Sequence, residues 1–511
     1  MITNDAMRVA SQKGLRRPHY RVRFAFARVL DPTIDYLTYD NSENYDSGFL
    51  YQFASGDVLQ EWDQYIYREV SVKALSLNVE RELLRPSSVA LAYADIVLDN
   101  SDGQFSRGGE WGDYMLPSRP VKIDMGFDNQ LVPQFVGLTA RRPEFDEKNK
   151  TVSFHAQDFL GLLLSRPVQE TVLLENYRVD EILAVLFEAV GLLPTQYSFD
   201  QATVTVPFFY ANKGDSLFNV ASKLVDAEVG SLFMDEFGMV RFTNRGNFVE
   251  DMVFNFHSYW NIFDYTRRRE DDLINKVQVS SKVRELQPLQ KYWESPGAIP
   301  VLAGQSVVVW ANFNDPVKDI DEPSIGGTYS SFTCNTAEDG SGSASTDISV
   351  TGFDEFASSA KITFTNAGSS TLFITSLVLY CKPAFIVNEL YVEDEDTTSV
   401  DAYGERLLSI ENDYFSEESD ATSFSTRILV EYKEPALVAE LDVLGTPQLQ
   451  LNDVVDVSLF GVTDRQQIVR IANKIENNRF SQVLRLKDYP DLAFFNYDNS
   501  QNYDEDNIYR I

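Results

Sequence analysis

The chain has 511 residues, room for two to four domains. Asp and Glu number 77 against 44 Lys and Arg, a net charge of −33. That balance excludes a protein working through phosphate contacts to nucleic acid, or one held on an anionic membrane by charge.

Hydrophobic residues are 44% and aromatic residues 13% of the chain, enough for several cores and rich in strand formers. Cys334 and Cys381 make neither a disulfide framework nor a zinc spacing. Met1 to Tyr20 has no apolar signal core, and no apolar run reaches the roughly 20 residues of a membrane span. The expectation is a soluble chain, made in a cytoplasm, with no membrane anchor.

Residues 1–19 are polar and mildly basic, with Lys13, Arg16 and Arg17, and read as a flexible arm. Tyr20–Val29 alternates as a strand. Tyr39 to Asp46 reads YDNSENYD and is echoed by YDNSQNYD at Tyr497 to Asp504. Two readings stand: ordered surface loops, or docking tags for a neighbouring subunit.

Arg68–Asp99 predicts β structure, with Val70, Val72, Ala74 and Leu75, Leu77, Val79 bracketing one strand. Val89–Leu98 predicts another, whose Ala90, Ala92 and Ala94 form a small-residue face suited to packing on a second sheet. Asp99 to Gly103 is a turn. Val121–Phe127, Gln134–Thr139 and Thr151–Ala156 are further strands.

The period then changes. Asp158 to Leu164 begins a helical stretch, and Val179, Ile182, Leu183, Leu186 and Val190 keep helical spacing up to a capping Gly191. Asp215 is the predicted N-cap of a second helix with Leu217, Val220, Ala221, Leu224 and Val225 as its stripe. Leu232–Asp235 and Met239–Thr243 read as a hairpin around Gly238. Asn275–Val283 returns to strand.

From Glu285 to Pro383 the composition shifts to Gly, Ser, Thr and Asn, with strands at Val307–Trp310, Lys361–Thr365 and Leu372–Tyr380 and a loop at Ala337–Thr346. This suggests an inserted β-sandwich. Glu393 to Asp396 reads as an acidic linker. Ala421, Phe424, Ile428 and Tyr432 mark a helix ending before Pro435. Leu437–Val443, Asp453–Leu459, Gln467–Ile475 and Gln482–Leu486 are strands, expected to pair with Asn275–Val283 across the insert.

Several motifs occur in a telling order. Leu98-Asp99-Asn100-Ser101-Asp102-Gly103 ends a strand in a DNSDG turn, and Ser118-Arg119-Pro120-Val121 leads into the next strand. Phe135-Val136-Gly137, Thr151 to Asp158 running into Phe159-Leu160, Gly230 to Gly238, Tyr403 to Arg406 and Pro447 to Val455 follow. Together, over roughly Arg68 to Asp488, they resemble minor tail proteins of siphophages.

The resemblance implies a mainly β fold with a small α+β part: two tail-tube-like β-barrel domains, a helix-hairpin domain and an inserted β-sandwich. The implied organisation is an arm at 1–19, a first barrel at 20–158 and a helix-hairpin domain at 159–246. A second barrel follows at 247–284 plus 396–490, interrupted by the sandwich at 285–395, with a Tyr/Asp-rich tail at 491–511. It implies a homotrimer at the distal end of a virion tail. Distal tail and tail-tube proteins would sit above, tip or fibre proteins below, and genomic DNA would pass through without specific binding.

Chemistry offers little else. His19, His155 and His257 are isolated, and no nucleophile elbow, P-loop or zinc-protease motif occurs. Asp40, Ser42, Asn44 and Asp46 alternate like calcium ligands, but Tyr45 and Tyr51 stand where such a loop needs Gly and Glu. Glu393 to Asp396 suits a calcium site or, more simply, solvated linker charge. Arg267-Arg268-Arg269 suits a clamp on a neighbour's carboxylate or a solvated strand end. No catalytic, cofactor-binding or metal residue is assigned, no cofactor is expected, and binding residues stay unassigned.

The first functional reading is therefore a non-enzymatic tail hub. A second is a receptor- or carbohydrate-binding tail-tip protein recognising a host-surface glycan through the insert, where Tyr292, Trp293 and Trp310 serve as stacking surfaces or as core. A third, a cell-wall hydrolase, lacks any carboxylate pair set apart from the other acids.

Overall fold

The computed structural model describes residues 18–28, 65–84, 89–112, 117–128, 130–228, 230–244, 252–257, 262–269, 273–415, 417–435, 437–459, 462–476 and 479–488. Both Tyr/Asp repeats, and with them the calcium-like spacing at Asp40 to Asp46, lie outside these residues. The fold is mainly β, with few helices.

The first half contains β1 (Pro18–Arg28), β2 (Tyr65–Glu69), β3 (Ala74–Leu84), β4 (Val89–Asp99), β5 (Pro120–Phe127), β6 (Gln130–Thr139) and β7 (Thr151–Asp158). β2 and β3 are one run kinked by a 3-10 turn at Ser71–Lys73. Counting that run once, hydrogen bonds link β3–β4–β7–β6–β5–β1 and return from β1 to β2, so the sheet closes on itself. Phe24, Ile96, Val121, Met125 and Phe154 fill the interior.

The DNSDG turn has a packing role. Asn100 Oδ1 accepts from the Phe105 N–H at 3.0 Å, and its amide donates to Ser106 Oγ at 2.9 Å. This folds Phe105 back into the interior against Trp111 and Phe154. Gly103, at φ 73°, supplies the left-handed residue the turn needs. Gly137 is required for a different reason: a Cβ there would come within 2.3 Å of the Gln157 carbonyl on β7.

Next come α1 (Phe159–Leu164), α2 (Val179–Ala189), α3 (Leu217–Glu228) and the hairpin β8 (Ser231–Met234) and β9 (Val240–Thr243). Asp158 caps α1: Oδ1 accepts from Gly161 N–H and Oδ2 from Ala92 N–H, both at 2.7 Å. α1 is thereby fastened to β4. Ile182, Leu186, Leu217, Ala221 and Leu224 share one core with β8 and β9.

β10 (Met252–His257) and β11 (Ile262–Arg269) open the second half. β12 (Lys276–Leu286) then leaves it. The sandwich follows with β13 (Ser306–Asn312), β14 (Ile348–Glu355) and β15 (Ser359–Asn366), stacked on a second sheet around Ala311, Phe332, Ile362 and Leu377. That second sheet is organised by one 24-residue strand, β16 (Leu372–Glu395). Its far end pairs with β12 along eleven residue pairs, and β17 (Leu407–Glu411) adds to β12 in parallel. α4 (Glu418–Tyr432) covers this sheet with Phe424 and Ile428 against Val277, Val279 and Val392.

The chain returns with β18 (Leu437–Leu444), β19 (Val454–Leu459), β20 (Val462–Glu476) and β21 (Arg479–Asp488). The order is β11–β18–β21–β20–β19–β10. Numbered within each half, both run second, third, sixth, fifth, fourth, first. They differ at two contacts: β1 is antiparallel to β5, whereas β10 is parallel to β19, and β1 also pairs with β2, whereas no β10–β11 pairing occurs among the described residues.

Five expectations are corrected. The Asn275–Val283 strand does not join the C-terminal strands; its Val277 and Val279 are buried under α4, which holds it to β16. Glu393 to Asp396 is no linker: Glu393–Glu395 end β16, with carboxylates alternating around buried Val392, and Asp396 caps a short helix, accepting from Ser399 N–H at 2.9 Å. The residue flanking α3 is Ser216, not Asp215; Asp215 instead accepts from Asn212 N–H. Val70 and Val72 do not belong to the β3 strand: they lie at the 3-10 turn, where Val72 is fully exposed. The arm is shorter than 1–19, because Pro18 and His19 pair with Phe127 and Gly126.

Burial pushes the Asp226 carboxyl on α3 up to about 7. The folded state thus holds this proton more tightly than the unfolded chain, so its contribution is full below the unfolded value and lost as pH rises through about 7. Asp226→Asn should match the parent in urea midpoint near pH 4 and exceed it at pH 8. Equal midpoints at both pH values would refute this.

Candidate functional site

Four strands serve both halves at once. β3 places Leu77 and Val79 in the first core and Leu83 in the second. β4 does the same with Ala92 and Ala94 against Ala90, β20 with Ile475 against Ile471, and β21 with Phe480 against Leu484. β3 pairs with β20 from Ser76–Glu476 to Glu82–Arg470, which joins the halves edge to edge.

Polar residues mark the crossing. Arg81, Asn473 and Gln482 stand between the two apolar sets on β3, β20 and β21, all buried. Asn473 donates to Gln134 Oε1 at 2.7 Å, Gln482 donates to Asn473 Oδ1 at 2.8 Å, and Gln134 donates to the Pro447 carbonyl at 2.6 Å. Such a chain satisfies each amide only in one register.

Arg81 pairs with Glu236 from the β8–β9 turn, and Gln450 donates to the other Glu236 oxygen. Both charged side chains are almost wholly buried, at 6% and 3% exposed. Burial pushes the guanidinium down to about 10, still charged at neutral pH. Burial also raises the Asp158 carboxyl to about 7, against its two N–H donors and Arg81.

The outward face of this joint is continuous. One register row runs Gln157, Tyr93, Glu80, Ala472, Val483, Asp442, Asp264 across β7, β4, β3, β20, β21, β18 and β11. The next carries Glu82, Arg470, Arg485 and Glu440. Arg470 meets Glu80 at 2.8 Å and Arg485 meets Glu82 at 3.2 Å, while His155 Nδ1 lies 2.7 Å from Asp95. Carboxylates are in excess, but most charges are paired. The arrangement makes a wide, wet, charge-laced wall.

The residues singled out by sequence are scattered. His19, His155 and His257 lie on three different strands, β1, β7 and β10. Arg267 pairs with Asp464 at 3.0 Å within the chain; the side chains of Arg268 and Arg269 lie outside the described residues. Glu393, held down at about 2 by Lys276, Tyr391 and Gln278, belongs to a surface network rather than a cation site. Among the described residues no three His, Cys, Asp or Glu side chains are placed to hold a metal. Cys334 and Cys381 are free and buried, their thiols pushed up to about 11 and 12 by burial. Tyr292 and Trp293 pack against the sandwich core, while Trp310 stands exposed.

A cleft lined by Tyr210, Lys223, Lys282, Arg284, Asp413 and Tyr414 separates α3 from β12. Two of its three lining cations are engaged: Lys282 with Glu411 at 2.6 Å, and Arg284 with Asp315 at 3.5 Å and over the Tyr210 ring. Among the described residues no helix is long and apolar enough to cross a membrane. Sequence reasoning missed Arg81, Glu236 and the Gln134–Asn473–Gln482 chain, whose bonded partners lie up to 339 residues apart.

No family model matches the chain, and no curated protein matches it. Among solved structures it is similar to the 43 kDa tail protein of prophage MuSo2 from Shewanella oneidensis. That likeness has 11% identity and a TM-score of 0.45, over 82% of this chain and 95% of that one. It is also similar to the tail protein from Neisseria meningitidis MC58, at 10% identity and 0.47, over 83% and 94%. A third similar structure is an E. coli type VI secretion component described as resembling T4 tail proteins gp27 and gp5, at 7% and 0.39, over 82% and 74%. All three are distant.

Removing Glu236 as Glu236→Ala should cost about 3–5 kcal/mol in urea unfolding, because Arg81 is left buried and charged. Arg81→Met with Glu236→Met should recover most of the loss. Arg470→Ala, on the wet face, should cost less than about 1 kcal/mol. A Glu236→Ala loss no greater than that of Arg470→Ala would count against the buried pair.

Proposed function

We propose that this chain is a non-enzymatic hub of a phage-type tail, three copies of which form a ring continuing the tail tube at its distal end. The observation that carries the reading is the seven-strand face whose register row crosses both halves from Gln157 to Asp264. Two halves with the same strand order let three chains present six similar units around an axis. Turned inward, 21 strands at a spacing of about 4.8 Å enclose a bore roughly 30 Å across at the backbone. Inward side chains narrow this to about 20 Å, the width of a DNA duplex.

The wall chemistry supports passage without capture. Glu80, Glu82, Asp95, Glu440, Asp442 and Asp264 outnumber the basic residues of the face, and Arg470 and Arg485 are engaged by glutamates. A mildly acidic wall repels phosphates over the Debye length of about 8 Å. The motif order from Asp99 to Val455, which resembles siphophage minor tail proteins, supports the same role. On this reading distal tail and tube proteins contact one rim, tip or fibre proteins the other, and the protein resides in the virion tail.

Purified protein should run near 174 kDa, three times the 58.0 kDa chain, and give three-fold rings with an axial hole by electron microscopy. Monomers at every concentration tested, with no opening in class averages, would overturn the proposal.

A further inference from the structure

The sandwich has one face that its own core does not use. In β13, Val307, Val309 and Ala311 turn toward the core, so Ser306, Val308, Trp310 and Asn312 point outward. Trp310 is 47% exposed and Val308 48%. Trp310 is not loose: its ring lies nearly parallel to Phe356, with centroids 6.3 Å apart and planes at 20°. An exposed indole fixed beside a second ring offers a preformed stacking surface.

The neighbours are polar and neutral in sum. Trp310 sits opposite Lys361, and Lys361 opposite Asp354, which it meets at 3.0 Å. Beyond Val308 runs a row of hydroxyls: Ser306 to Thr365 at 2.7 Å and Thr365 to Thr351 at 2.8 Å. Gly352 stands between the ion pair and this row, facing Thr363, and keeps the middle of the face low.

This chemistry selects an occupant. A charged polymer gains nothing from a cancelled ion pair. A protein partner of ordinary interface size, about 800 Å² per side, would meet only two large apolar side chains here. A neutral sugar presents a C–H face that stacks on an indole and hydroxyls that exchange hydrogen bonds with Ser, Thr, Lys and Asp.

We propose that the outer face of the β13–β15–β14 sheet is a platform for a neutral polysaccharide, with Trp310 as the stacking surface and Ser306, Thr351, Thr365, Lys361 and Asp354 as its hydrogen-bonding rim. The platform would bring the tail into contact with a glycan-coated surface. It stands independently of whether the chain forms a ring.

The test uses the full chain against a panel of neutral oligosaccharides built from glucose, galactose, mannose and N-acetylglucosamine, followed by titration calorimetry on any that bind. Trp310→Ala should weaken binding at least about tenfold while lowering the thermal midpoint by no more than a few degrees, since the ring is half outside the fold. Trp310→Phe should retain part of the affinity. Tyr391→Ala, an exposed aromatic on the other sheet, should leave it unaltered. No binding to any neutral sugar of the panel, or binding insensitive to Trp310→Ala, would overturn the proposal. So would capture of a tail protein through Trp310 without sugar binding.

Discussion

The strands Ala74–Leu84 and Val462–Glu476, paired edge to edge, are the constraint on which the molecule turns. Each belongs to two cores, so neither half can shift without moving the other. A slip of one residue would drive Glu80 and Glu82 inward and expose Leu77, Val79 and Leu83. The buried amide chain from Gln134 through Asn473 to Gln482 opposes that slip, because its hydrogen bonds are met in one alignment only. Arg81 and Glu236 add the third body, tying the helix-hairpin region to the same seam.

Around that seam the two halves repeat one strand order yet finish it differently. The first closes because β2 and β3 are a single kinked run that reaches both neighbours. The second runs from β11 to β10 with its ends on consecutive strands. The additions attach away from the seam's outward face: the helix-hairpin region on the start of β4, and the sandwich along β16. Among the described residues neither addition covers the charged wall. Its ion pairs are worth little individually and serve solubility and register more than stability.

Much of this was legible in the chain. The Asp99–Gly103 turn, the α2 and α3 stripes and most strands follow from local chemistry: a left-handed glycine, apolar spacing of 3.6 or 2. The mainly β class followed from composition. Where local reading failed, a distant partner had intervened. Glu393 to Asp396 looks like solvated linker because four acidic residues carry no hint of the strand that runs on to Glu395; pairing with β12, more than a hundred positions away, makes 393–395 strand. Asn275–Val283 has the pattern of any buried strand, and only the cover of α4 decides that it pairs with β16.

By itself, then, the sequence determined most element types and the turns between them, because each depends on residues within a few positions of one another. Tertiary structure alone decided which strands are shared by two cores, that Arg81 would be buried against Glu236, and that Trp310 would face outward. Arg81 and Glu236 lie 155 residues apart, and which face of a strand turns outward depends on the face that a packed core happens to claim.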